Sequence, residues 1–128
     1  MTENELARLA IDCGLRVRRK LGPGLLENIY EECLVYELKK KGLKVERQVP
    51  LPLKYEEITF STSYRLDILV ENKLIIELKS VENFAPVHTA QILTSLKLAD
   101  LSLGLLMNFN VELFKYGIKR VINGYVQQ

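Results

Sequence analysis

The chain has 128 residues, 48% hydrophobic and 27% charged, with 18 Lys plus Arg against 16 Asp plus Glu and a net charge of +2. That length fits one domain, 1–128, with a buried core, and the composition excludes wholesale disorder, collagen-like repeats and coiled coils. Near-neutrality argues against a uniformly cationic nucleic-acid coat, and the longest nearly apolar run, Leu101 to Phe109, is far short of the roughly 20 residues of a membrane helix.

The polar, acidic start Thr2-Glu3-Asn4-Glu5 is unlike a signal peptide, so a cytoplasmic location with no membrane partner is expected. The same residues have the form of a capping box. Leu6, Leu9, Ala10, Cys13 and Val17 follow at helical spacing, predicting a first helix to about Lys20. Arg16, Arg18, Arg19 and Lys20 at its end complement the helix dipole and form a basic cluster; a solvated helix end is the plain reading. Cys13 and Cys33 fall on apolar helical positions outside any CxxC pair, which fits buried free thiols, with a disulfide or a zinc role as the alternatives.

Leu21-Gly22-Pro23-Gly24 must break the helix, and a second helix is expected from about Leu26 to Lys41, stopping at Gly42. Glu27, Tyr30, Leu34 and Leu38 lie within about 80° of one another on it, which puts Glu27 in the apolar stripe. A first-turn carboxylate gains from the dipole by about 0.3–1 kcal/mol. That accounts for the charge but not for the face, and a partly buried acid calls for a cation or metal.

From Leu43 the period becomes two. Val45 to Val49 and Leu51 to Phe60 read as strands interrupted by Pro50 and Pro52, with Lys54 to Glu57 as a turn. Tyr64 to Val70 and Leu74 to Lys79 both alternate. Pairing them around Glu71-Asn72-Lys73 matches Val70 with Leu74, Ile68 with Ile76 and Leu66 with Leu78. That register sets Asp67 opposite Glu77 and Arg65 opposite Lys79, about 4.5–5.5 Å apart, where like charges repel. Diagonal salt bridges, Asp67 to Lys79 and Glu77 to Arg65, would relieve the clash; so would a divalent cation held by the two carboxylates. Charge placement leaves both open.

Pro86 starts a third helix to about Ala99, with Ile92, Leu93 and Leu96 on the core face and His88, Gln91 and Ser95 on another. Leu101 to Asn108 reads as a buried central strand, and Phe114 to Ile122 as strand or helix. Lys115, Lys119 and Arg120 are phosphate-contact candidates or a solvated face. There is no glycine-rich phosphate loop, Ser/His/Asp signature or zinc spacing.

An acid, nine residues, then E-x-K on adjacent strands, after a helix bearing an inward Glu, resembles the PD-(D/E)xK nuclease superfamily. Gly24-Leu25-Leu26-Glu27-Asn28-Ile29-Tyr30, Tyr64-Arg65-Leu66-Asp67, Glu77-Leu78-Lys79, His88-Thr89-Ala90-Gln91 and Gly104 to Phe109 are similar, in order, to the GxxExxY family within it. The likeness spans about Leu15 to Asn123. Ser63 stands where that family has Gly, and Leu66 precedes Asp67 in place of the superfamily's proline.

The resemblance implies an α/β, restriction-endonuclease-like core: a mixed central sheet with an antiparallel meander, flanked by helices. It implies a metal-dependent phosphodiester hydrolase acting on DNA or RNA. Asp67, Glu77 and the Leu78 carbonyl would hold Mg²⁺ or Mn²⁺, with Glu27 joining directly or through water, and Asp67, Glu77, Lys79 and Glu27 would form the catalytic set. Arg65, Tyr30, Gln91 and His88 are the candidates for substrate contact. A homodimer or larger complex fits so small a nuclease. The alternatives are a non-catalytic module that binds nucleic acid or protein on the same fold, and a purely structural polar hairpin.

Overall fold

Thr2 sets the start of helix α1 (Glu3–Leu21): its Oγ1 accepts the Glu5 backbone N–H at 3.2 Å. The capping box is half formed, because the Glu5 carboxylate takes the Thr2 hydroxyl and not its backbone N–H. Gly22, at φ 72°, ends the helix with its N–H on the Arg18 carbonyl. This computed structural model describes residues 1–61, 64–124 and 126, so Ser63 lies outside the described residues. Helix α2 (Glu27–Lys40) has Leu26 at its cap and lies one residue inside the expected bounds at each end.

Strands β1 (Val45–Pro50), β4 (Arg65–Val70), β5 (Leu74–Lys79), β6 (Leu103–Asn108) and β7 (Ile118–Ile122) form one sheet in the order β1-β4-β5-β6-β7. Only β5 and β6 are parallel among these pairs, as their crossover through helix α3 (Pro86–Ala99) requires. Between β1 and β4, β2 (Leu53–Tyr55) and β3 (Ile58–Phe60) pair as a separate hairpin. The expected turn therefore narrows: Lys54 and Tyr55 belong to β2, and Glu56, at φ 50°, makes the reversal with Glu57. Every residue of β6 is buried, as a central strand demands, although it begins at Leu103 and not Leu101. The ambiguous tail resolves into a 3-10 turn, Phe114–Gly117, followed by β7.

Helices α1 and α2 cover one face of the sheet, where Leu6, Ala10, Leu34, Leu38, Ile68 and Ile76 form the larger core. Helix α3 covers the other, with Ile75, Ile92, Leu96 and Leu106. Gly104 admits α3 closely, since a Cβ there would meet Ile92 Cδ1 at 2.7 Å. No helix among the described residues is long and apolar enough to cross a membrane.

The hairpin register matches expectation at Ile68↔Ile76, Leu69↔Ile75 and Val70↔Leu74. Beyond it the alternation fails. Leu66 packs with the α3-side core while Ile68 and Val70 pack on the α2 side, so Leu66 does not share a face with Leu78. β4 changes face at Asp67. The two thiols also differ: Cys13 is buried, Cys33 is half-buried, and both are free.

Candidate metal centre

Asp67 stands where β4 parts from β5. Its Oδ2 accepts the backbone N–H of Leu78 at 2.9 Å, and its carboxylate and backbone both act on the neighbouring Glu77 carboxyl. Side chains thus replace main-chain pairing across the gap. Burial drives the Glu77 pKa up to about 9, with the Asp67 charge and side chain pushing the same way and Lys79 opposing. At that value Glu77 holds its proton at neutral pH. The like-charge clash read from the sequence is relieved by the proton held on Glu77, not by the diagonal ion pairs, neither of which is among the salt bridges of the described residues.

Glu27 opens α2 and is exposed as a residue, unlike Tyr30, Leu34 and Leu38 of its stripe, which are fully buried. The first turn overhangs the sheet end. Its carboxyl end is nonetheless partly buried, which raises its pKa; Lys79 lowers it, Asp67 raises it, and the nearby Ser80 backbone lowers it. Among the described residues no group of three or more His, Cys, Asp or Glu can hold a metal ion. Glu27 is therefore within the electrostatic field of Asp67 and Lys79 but does not join Asp67 and Glu77 in one direct ligand cluster.

The loop before Glu27 is fastened at several points. Tyr30 Oη donates to Gly22 O at 2.6 Å and accepts the Leu25 N–H at 3.1 Å, and Ser80 Oγ donates to Leu25 O at 3.1 Å. This corrects the expectation for Tyr30: it is 0% exposed, its ring stacks on Phe109 at 4.5 Å, and it shapes the loop instead of facing substrate.

Concavities flank the carboxyl pair. Tyr64, Arg65, Glu77, Gln91 and Ser95 line a pocket of about 210 Å³ on the α3 side. Its wall is braced by Tyr64 Oη and Ser95 Oγ, both donating to Gln91 O. A broader cleft of about 790 Å³ lies along Gly24, Glu27, Ser80 and Asn110. His88 performs the helix-start role, its Nδ1 accepting the Ala85 N–H at 3.0 Å, and it also lies within the field of Glu27. Arg65 and Gln91 reach the pocket beside Glu77.

Sequence reading missed two positioning residues. Asn108, 1% exposed, holds Val81 from both sides: its Oδ1 accepts the Val81 N–H at 3.2 Å and its Nδ2 donates to Val81 O at 2.7 Å. It prolongs the β5–β6 pairing beyond Lys79, whose carbonyl accepts the Phe109 N–H. Ser95 is equally buried. A polar residue at the last position of an apolar strand was the available signal for Asn108. The basic cluster, conversely, is partly spent, since Arg18 donates to the carbonyls of Phe109 and Val111 and Arg16 pairs with Glu37.

A carboxyl pair on a parted hairpin, a Lys two residues on, and a mixed sheet between helix layers agree with the family comparison. A model of the PD-(D/E)XK nuclease superfamily matches residues 4–121. The chain belongs to this superfamily. No curated protein and no solved structure matches it. The sheet is the restriction-endonuclease-like core of the superfamily, whose nucleases generally use divalent metal ions. The donors here fit such an ion: two adjacent carboxyls, one of them Glu77 with its raised pKa, offer hard oxygen ligands, as Mg²⁺ and Mn²⁺ prefer.

Proposed function

We propose that the chain is a metal-dependent phosphodiester hydrolase of the GxxExxY type, acting on DNA or RNA in the cytoplasm. The observation that carries this reading is the Asp67 carboxylate on the Leu78 N–H at the parted end of the hairpin, beside the buried Glu77 carboxyl and with Lys79 two residues on.

Asp67 and Glu77, with the Leu78 carbonyl, would hold Mg²⁺ or Mn²⁺, and Glu27 would act through a water from the end of α2. A bound divalent ion supplies Lewis acidity, lowering the pKa of a water and polarising a phosphoryl oxygen. Lys79 orients the attacking water and offsets charge on the phosphate. Arg65 and Gln91 receive a phosphate or base edge in their pocket, and His88 approaches from the helix start. A homodimer or larger complex would extend the grip of a 128-residue chain on a polymer.

The test is cleavage of single- and double-stranded DNA and RNA with Mg²⁺ or Mn²⁺, with Asp67→Ala and Lys79→Ala as controls. Activity that needs metal and both side chains supports the reading. Equal rates in wild type and variants, or no cleavage of any substrate, overturn it in favour of a non-catalytic module.

A further inference from the structure

Gln48 has φ 49° inside β1, whereas the other non-glycine residues with left-handed φ, Glu56, Glu71, Asn72 and Asp100, lie in turns or at a helix end. A left-handed L-residue within a strand is costly and persists where its surroundings over-determine it. Gln48 falls between the pairs Arg47↔Ile68 and Val49↔Leu66, at the height of Asp67, and that pair is missing from the ladder. On the other side of β4, the ladder to β5 ends at Ile68↔Ile76. Pairing to β1 is therefore interrupted at Asp67 and resumes at Val49↔Leu66, while pairing to β5 ends before Asp67, at the point where β4 changes core.

An extended strand sends adjacent side chains to opposite faces. Here Arg47 and Gln48 both reach one carboxylate on α2. Glu31 Oε2 accepts from Arg47 Nε at 3.1 Å and Nη2 at 2.8 Å, while Oε1 accepts from Gln48 Nε2 at 2.9 Å. Glu31 is 6% exposed, so these bonds satisfy an otherwise stranded buried charge.

We infer that Glu31 is a positioning residue for the metal centre: by drawing Arg47 and Gln48 together onto α2 it holds β1 twisted, which frees Asp67 to turn its carboxylate into the strand gap and take the Leu78 N–H. The consequence for metal rests on the nuclease reading; the effect on Asp67 does not.

The Leu78 amide resonance in ¹H–¹⁵N spectra of the metal-free chain reports the Asp67 bond directly. Asp67→Ala marks its position when that bond is lost. In Glu31→Gln and Gln48→Val, each shown folded by circular dichroism, the resonance should move toward the Asp67→Ala position. Valine serves because a β-branched residue resists the left-handed turn, and it carries the test if Glu31→Gln fails to fold. The Mn²⁺ dissociation constant should rise about tenfold in the same variants, as for other supports of metal ligands. A Leu78 resonance unmoved in the folded variants overturns the inference. Failure of the wild type to bind Mn²⁺ overturns the nuclease reading instead, and the Leu78 resonance still decides the role of Glu31.

Discussion

Asp67 accepts the backbone N–H of Leu78 through Oδ2 at 2.9 Å, so a single carboxylate serves both as a structural acceptor and as a proposed metal ligand. The roles separate on substitution. Asp67→Asn keeps an oxygen for Leu78 and should unfold in urea near the wild-type midpoint, yet lose Mn²⁺ binding by calorimetry. Asp67→Ala leaves the Leu78 N–H stranded and should cost about 1–3 kcal/mol as well. Equal stability of the two variants would show that the hydrogen bond contributes nothing.

Stability of the metal-free protein should fall as pH rises. Glu77 is raised in the native state from its usual 4.5 to about 9, so between those values the folded chain binds a proton that the unfolded chain has released. Its contribution is fully present below about pH 4.5 and is lost toward pH 9; Glu27 shifts in the same direction. Thermal unfolding in chelator should show Tm declining from pH 5 to 9. Glu77→Gln should weaken that decline, and Mg²⁺, competing with the Glu77 proton, should raise Tm more at pH 8 than at pH 6. A flat profile in the wild type would contradict the raised pKa of Glu77.

Lys79 lies next to the carboxyl pair and within the field of both Glu77 and Glu27. Lys79→Ala should leave Mn²⁺ binding in place while the cleavage rate falls by about 100-fold, the scale for removing one transition-state donor. Single-turnover kinetics at saturating metal separates the effects: a loss that extra metal restores would make Lys79 a determinant of metal binding, not of the chemical step.

Tyr30 is closed off from solvent, with its hydroxyl used by Gly22 and Leu25. Tyr30→Phe should lower stability by about 0.5–1.5 kcal/mol and leave KM for nucleic acid unchanged. A raised KM without loss of stability would restore Tyr30 to the substrate surface.

Asn108→Ala removes the acceptor of the Val81 N–H and the donor to its carbonyl, both part-buried. A loss of about 1–3 kcal/mol in urea unfolding is expected, together with slower cleavage, because the chain leaving Lys79 loses its brace. Wild-type stability would mean that water replaces the side chain at no cost.

Much of the architecture was legible because local periodicity carries it. Period 3.6 marks α1, α2 and α3, period two marks β4 and β5, and the matched apolar faces of the hairpin set its register at Ile68↔Ile76 and Val70↔Leu74. Periodicity misled where a strand stops being regular. Leu66 was grouped with Ile68 because both lie on one side of an ideal strand, and the change of face at Asp67 has no period to announce it. Glu27 fell in the α2 stripe by angle alone, but the stripe extends beyond the sheet that would bury it.

By itself the sequence determined the elements up to β6, their order and the superfamily resemblance, since each depends on residues near one another in the chain or on ordered motifs; the tail after β6 stays open between strand and helix. The tertiary structure alone decided which polar groups meet: Asp67 with the Leu78 amide, Glu31 with Arg47 and Gln48, Asn108 with Val81, and Arg18 with carbonyls more than ninety residues away. The reason is physical. Burial follows a period that repeats along the chain, whereas a buried polar atom must find one partner wherever the fold brings it. That demand turned a near-neutral composition into an acidic pair, an adjacent lysine and a basic helix end already occupied in part by the protein itself.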